Sequence, residues 1–245
     1  MRPARGPCPL ARAETLTISV IIPSLNEAQR IGACVRALGD VEVIVADGGS
    51  SDDTVARAEA AGAAVVVERG GRGAQQNAGA ATARGNHLLF LHADTLLPDG
   101  WVDLVVGALG RLDVALGAFS LGIEGARFGE RLIASGANVR SRLFSLPYGD
   151  QALFLRRETF DKLGGFRPLP IMEDYDLVCR AQRVGTVETM PQKATTSNRR
   201  WRQTGLVRSV AINQLILAGY VFGFSTKRLA RFYWDGQSAD DRENT

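Results

Sequence analysis

The residues His87-Leu88-Leu89-Phe90-Leu91 form an apolar run that climbs to His92, Ala93 and the carboxylate of Asp94. Thr95, Pro98, Asp99 and Gly100 follow as turn residues. A short apolar run bounded by turn signals reads as a buried parallel strand. Open α/β sheets bind ligands at the carboxyl ends of their strands. Asp94 is therefore the first candidate for chemistry, although an Asp here can also start a turn or cap the following helix. Three more polar clusters follow apolar runs: Pro23-Ser24-Leu25-Asn26-Glu27, the stretch from Asp47 and Gly48 to Thr54, and Arg72-Gly73 with Asn77. In a parallel sheet all four converge on one edge. That edge offers carboxylates for a base or ribose, glycines for close backbone approach, and an arginine for phosphate. This set suits a nucleotide carrying a diphosphate.

The elements that must position these residues alternate regularly. Strands are expected at residues 18–22, 41–46, 63–68 and 87–91, with helices between them. Asn26 is expected to cap the first helix, Ser50 to Asp53 the second, and Gly62 to close the second. An alanine-rich helix follows the Arg69–Gly73 loop. The alternation implies an α/β, Rossmann-like domain with a mostly parallel central sheet and helices on both faces. After Asp94 the rhythm loosens. The pattern predicts a helix at 98–109, a strand at 115–123, a helix or lid at 127–143, a strand at 151–156, a helix at 173–184 and a short strand at 187–190. In the 173–184 helix Asp174 shares a face with Leu177, Val178, Ala181 and Val184. Glu173 is rotated away from that face, and Asp176 is expected to pair outward with Arg180. Asp174 also lies in the first turn, where the helix dipole stabilises a carboxylate. A purely structural role at the helix start is the plainer alternative.

In order and spacing, these motifs resemble glycosyltransferase family 2. The matching residues run from Val20-Ile21-Ile22-Pro23 through Asp47-Gly48-Gly49-Ser50, Arg72-Gly73 with Asn77, and Phe90-Leu91-His92-Ala93-Asp94, to Met172-Glu173-Asp174. Leu91-His92-Ala93-Asp94-Thr95, Gly149-Asp150-Gln151 and Arg199-Arg200-Trp201 are similar to a small bacterial group associated with arsenosugar biosynthesis. That group is also described as radical-SAM and selenodomain-associated transferases. The resemblance implies a GT-A fold and a nucleotide-sugar donor, most simply UDP-linked. It places Pro23, Asn26 and Glu27 around the nucleoside, Asp47 and Gly48 at the base, and Arg72, Gly73 and Asn77 near the nucleotide. It makes Asp94 the ligand of a divalent metal, manganese or magnesium, on the diphosphate. Hard ions of this kind take carboxylate and phosphate oxygens. It makes Asp174 the catalytic base. His92 stands where the family has the first Asp of its DxD motif, and implies a departure in donor recognition. Arg200 and Trp201 fall where processive relatives carry Gln-x-x-Arg-Trp, but the Gln is absent. They would close over the diphosphate or stack on a sugar. A solvated basic loop is the alternative there, and an ordinary turn the alternative for Tyr148 to Gln151.

The composition fits one soluble domain. The chain has 245 residues, 45% hydrophobic and 22% charged, with a net charge of +3. No basic stripe interleaved with aromatics points to nucleic acid. Three scattered cysteines and two histidines do not make a zinc site. They fit a reducing cytoplasm. Residues 1–16 read as a disordered leader, 17–204 as the GT-A domain, 205–235 as a helical extension, and 236–245 as a polar tail. The uncharged run from Ser209 to Thr226 is short for a membrane span and is expected to pack as a helix. Arg208, Lys227, Arg228 and Arg231 flank it, so 206–231 is also a candidate for peripheral contact with the inner face of the cell membrane. The expected partners are a nucleotide-sugar and a small-molecule or lipid acceptor. Two rival functions share the nucleotide edge. One is a nucleotidyltransferase. The other is a non-catalytic nucleotide-sugar binding module, a reading that His92 keeps open.

Overall fold

The computed structural model describes residues 17–199 and 205–235. Four parallel strands make the first half: β1 (Ile18–Ser24), β2 (Glu42–Asp47), β3 (Ala64–Val67) and β4 (His87–Phe90). They are linked by α1 (Ile31–Ala37), α2 (Thr54–Ala60) and α3 (Arg72–Thr82). Strands covered on both faces read as continuous apolar runs, and β1 shows why. Val20 and Ile22 enter one core with Val43, Val45, Leu89 and Leu91. Ile21 enters the other with Ile44, Leu88 and Phe90. Alternate side chains of each strand therefore serve opposite layers.

The second half adds β5 (Thr95–Leu96), α4 (Trp101–Leu109), β6 (Val114–Ile123), α5 (Phe128–Phe144), β7 (Leu153–Arg156), α6 (Arg157–Leu163), α7 (Glu173–Ala181) and β8 (Thr186–Thr196). The sheet order is β3-β2-β1-β4-β7-β6-β8-β5. Strand β7 is antiparallel to both neighbours, and β8 is parallel to β6. Two last helices, α8 (Leu206–Val221) and α9 (Thr226–Asp235), pack Ile212, Ile216 and Ala230 around Ile171. Among the described residues no helix is long and apolar enough to cross a membrane.

Several expected boundaries move, each for a physical reason. The strand expected at 187–190 runs to Thr196 because Pro191 falls at an irregularity in the β6–β8 register, where its missing N–H costs no ladder bond. Asn26 does not cap α1, whose N-cap is Arg30. Helix α7 stops at Ala181, so Val184 lies beyond the inward phase and is exposed. Gln151 sits in a 3-10 turn (Gly149–Gln151), and β7 starts only after Ala152, whose φ is 50°.

Helix α3 approaches the sheet closely because it is built from small residues. A Cβ on Gly79 would lie 2.4 Å from Ile21 Cγ2. At its far end the Arg157 guanidinium collects the carbonyls of Ala80, Ala83 and Gly85 at 2.7–3.0 Å. We expect Gly79→Ala to lower the unfolding free energy by about 1–3 kcal/mol through overpacking. Urea titration would show this as a lower midpoint with an unchanged slope. An unchanged midpoint would mean that α3 shifts off β1 without cost.

Candidate functional site

The sheet edge is held by a residue that sequence reasoning missed. Gln75 is buried, and its Nε2 donates to Ser24 O and Ala46 O, both at 2.9 Å. It ties the ends of β1 and β2 where the ladder stops. Gly48 N donates to Ser24 O at 2.8 Å. A Cβ on Gly48 would stand 2.9 Å from the Gln75 amide nitrogen, so the glycine makes room for the tie. The available signal was a polar residue at a buried phase of an alanine-rich helix.

Above this tie the first two clusters interlock. Asn26, at φ 53°, donates its N–H to Ser50 Oγ and accepts from Ser51 N, both at 2.9 Å. Asp47 is buried, with Oδ1 accepting from Gly49 N and Ser50 N at 2.8 Å and Oδ2 accepting from Ser50 Oγ. Asp52 accepts from Thr54 N and Ala28 N. Much of this polar cluster is spent on building the two loops. A carboxylate accepts about four hydrogen bonds, so Asp47 keeps one acceptor direction. Glu27 accepts from Arg199 Nη2 at 2.7 Å and joins the end of β8 to the first loop. Pro23 stays in β1, level with Ala46.

Asp94 is half-buried beneath the end of β8. Thr196 Oγ1 donates to its Oδ1 at 3.2 Å, Thr95 Oγ1 lies 3.4 Å from the same oxygen, and Ser197 N donates to the Asp94 carbonyl at 3.1 Å. Below the turn, Cys34 Sγ lies 3.9 Å from His92 O and 3.7 Å from Thr95 O. Burial, reinforced by the charges of Asp94 and Glu27, pushes the Cys34 thiol up to about 12, so it serves as a weak donor and not as a nucleophile. Among the described residues no three His, Cys, Asp or Glu side chains cluster as metal ligands. A hard ion here fits only as one carboxylate plus oxygens brought by the substrate.

Asp174 lies at the start of α7, entered through Met172 at φ 68°. Non-glycine residues in this region cost about 1–3 kcal/mol and cluster at functional sites. Gly149 N donates to Asp174 Oδ2 at 2.6 Å and Tyr175 N to Oδ1 at 2.7 Å. A Cβ on Gly149 would lie 3.0 Å from Asp174 Oδ2 and 3.4 Å from His92 Nε2. Glycine thus lets the turn pass between the two groups. The turn is fixed by Gln151, fully buried, which bonds Phe119 O at 3.0 Å and accepts from Ser141 Oγ at 2.7 Å. Arg140 stacks on Tyr148, 3.5 Å from the ring centre.

A cavity of about 580 Å³ opens here. His92, Asp174, Glu173, Arg72, Tyr148 and Asp150 give it a polar wall. Ile171, Ile216, Leu217 and Tyr233 give the facing wall, so α8 and α9 belong to the site. Glu173 corrects its expected orientation. It is buried, and Arg72 Nη1 stands 3.7 Å from its Oε1. Asp176 is likewise buried, between Arg180 at 2.7 Å and Arg167 at 3.1 Å, and does not pair outward. Asn77 does not face the site. Its amide exchanges two hydrogen bonds with the Phe166 backbone, at 2.8 and 2.9 Å. Gly73 packs against Arg167 O and the Glu173 side chain, a contact that fixes α3 to α7. Arg200 and Trp201 lie outside the described residues.

This architecture is the GT-A fold. The family model "Glycosyl transferase family 2" matches residues 19–170, and the chain belongs to glycosyltransferase family 2. A glucosyl-3-phosphoglycerate synthase of Mycolicibacterium paratuberculosis is 36% identical over 109 residues, covering 38% of this chain and 33% of the synthase. The chain thus matches about a third of that relative's length. A PGL/p-HBAD biosynthesis glycosyltransferase of Mycobacterium bovis is 28% identical over 66% of this chain and 68% of its own. The glucosyl-3-phosphoglycerate synthase of Mycobacterium tuberculosis, solved with Mn2+, UDP and glucosyl-3-phosphoglycerate, gives a TM-score of 0.59 at 27% identity, covering 82% of this chain and 79% of that one. A mannosyltransferase from Pyrobaculum calidifontis, solved with GDP-Man and Mn2+, shares the fold with a TM-score of 0.64 at 20% identity, covering 86% and 65%.

Burial pushes the Glu173 carboxyl up, the Asp174 charge adds to this, and Arg72 opposes both. A carboxyl raised in the folded state binds more protons there than in the unfolded chain. Stability therefore falls as pH rises past the ordinary value of 4.5. Glu173→Gln removes this dependence. Urea unfolding at stepped pH should show the variant gaining on the wild type as pH climbs from 4.5. Parallel pH curves would contradict the assignment.

Proposed function

We propose that this chain is an inverting glycosyltransferase that moves a sugar from a nucleotide-diphosphate donor, UDP-linked, to an acceptor hydroxyl. One observation carries the proposal. Asp174 is fixed by two backbone N–H groups at the junction of a polar wall and an apolar wall, beside His92 and Arg72. The relatives solved with Mn2+ and UDP support the donor class. The motif at His92 and the Gly149-Asp150-Gln151 turn support placement in the arsenosugar-associated group of the family.

Asp174 takes the proton of the acceptor hydroxyl. The oxygen then attacks the anomeric carbon from the face opposite the diphosphate, and the bond from that carbon to the leaving oxygen breaks with inversion. Arg72, held against Glu173, is placed to meet negative charge on the phosphates. Pro23, Asn26, Glu27, Asp47 and Gly48 frame the nucleoside. Asp94 would hold a manganese or magnesium ion on the phosphates, and that ion would supply Lewis-acid stabilisation of the leaving group. The apolar wall from α8 and α9 suits a small molecule with an apolar part or a lipid. Peripheral membrane contact through 206–231 would present such an acceptor at the cytoplasmic face.

A donor screen with manganese, reading nucleoside diphosphate release, tests this reading. Asp174→Asn should lower kcat by roughly 10²–10⁴-fold, the usual range for a general base. Donor binding should stay near wild type. Asp94→Ala should abolish the response to added metal. Full turnover in Asp174→Asn would sink the base assignment. Donor binding independent of both metal and Asp94 would sink the metal assignment. Pyrophosphate release from a nucleoside triphosphate would instead favour a nucleotidyltransferase.

A further inference from the structure

Helix α5 is amphipathic with its faces reversed. Its buried residues are polar: Glu130 and Ser141. Glu130 accepts from Arg127 N at 2.6 Å, and Ser141 donates to Gln151 at 2.7 Å. Asn138 also turns to the sheet, pairing with Leu121 N at 2.6 Å and Leu121 O at 3.1 Å. The apolar residues point the other way. Phe128 is 84% exposed, Leu132 65%, Val139 55% and Leu143 72%. Their spacing repeats at four, seven and four residues, which puts them on one face of a helix. Arg127, Arg131 and Arg142 are exposed alongside this stripe, and the one acid of the helix, Glu130, is turned inward.

A second surface of the same kind lies at the end of α8 and on α9. Val221, Phe222 and Phe224 are exposed at the end of α8, followed by exposed Lys227, Arg228 and Arg231 on α9. The two surfaces are joined through the site. Arg140 of α5 stacks on Tyr148, Tyr148 lies 6.3 Å from Tyr175, and Tyr175 lies 5.5 Å from Tyr220 of α8. Gln182, just past α7, donates to Phe144 O and Ser145 O at the end of α5.

We propose that α5 is a docking helix for an anionic lipid bilayer, lying along the surface with Phe128, Leu132, Val139 and Leu143 in the acyl boundary and its arginines at acidic headgroups. Helices that bind this way carry an apolar face flanked by Lys or Arg. Charge selects the occupant. A second copy pressed on the same face would set arginines against arginines. A bilayer with acidic lipid supplies both the apolar layer and the opposite charge. The proposal goes beyond the sugar-transfer reading and depends on neither the donor nor the base. It shares with that reading only the contact at 206–231, which a separate variant isolates.

The test is vesicle co-flotation of the full chain with phosphatidylglycerol-containing and pure phosphatidylcholine vesicles. The wild type should float with the anionic vesicles and not the neutral ones, and lose binding as salt rises. Leu132→Gln/Val139→Gln, both at exposed positions, should keep the wild-type melting temperature and lower anionic-vesicle affinity about tenfold or more. Phe222→Gln/Phe224→Gln reports on α8 separately, so loss in the α5 variant supports the proposal whichever way the α8 variant behaves. Three results would overturn it: a wild type that does not bind anionic vesicles, an α5 variant that binds like the wild type, or a wild-type dimer that the α5 variant converts to monomer.

Discussion

Parallel strands that end beneath loops leave carbonyl lone pairs that the ladder and water do not both reach. A buried acceptor left unsatisfied costs about 1–3 kcal/mol. In this chain Gln75 completes the ends of β1 and β2 together, its one amide nitrogen serving Ala46 O and the Ser24 O that also accepts from Gly48 N. Gly48 is there because a larger residue would collide with the amide, and Asp47 holds the turn that the glycine begins. The polar sheet edge rests on this floor. Its acidic residues are numerous largely because two adjacent loops must satisfy one another.

The second half of the site obeys a related rule. Strands β6 and β7 share a short ladder, centred on Gly117 and Phe154. Beyond it, amide side chains replace strand partners: Gln151 at Phe119 O, and Asn138 at Leu121 N and O. Gln151 carries the 3-10 turn with it, and so brings the Gly149 N–H to Asp174. The position of the proposed base is thus set by a hydrogen bond needed to complete a sheet.

Most of the first half was legible in the sequence, because parallel strands covered on both faces advertise themselves as unbroken apolar runs. Asp94 and Asp174 were singled out by where they stand relative to such runs and to a helix phase, and their roles by the family resemblance. Other features depended on contacts that periodicity does not encode. Glu173 looked rotated away from the inward face, yet the close approach of α3, permitted by Gly73, covers it. Asn77 shares the Arg72-Gly73 motif, but its amide matches the Phe166 backbone in the loop before α7. The last strand was expected to stop at Met190, but it continues through Pro191, which the register irregularity absorbs. The C-terminal helices could be foreseen as packed, but their contact at Ile171 could not.

That contact changes what the last helices are. Because Ile216, Leu217 and Tyr233 wall the cavity while Ile212, Ile216 and Ala230 clasp Ile171, folding of α8 and α9 and occupancy of the cavity are linked equilibria. A ligand touching both walls binds more tightly when these helices are docked. By reciprocity it holds them docked, by the same free energy.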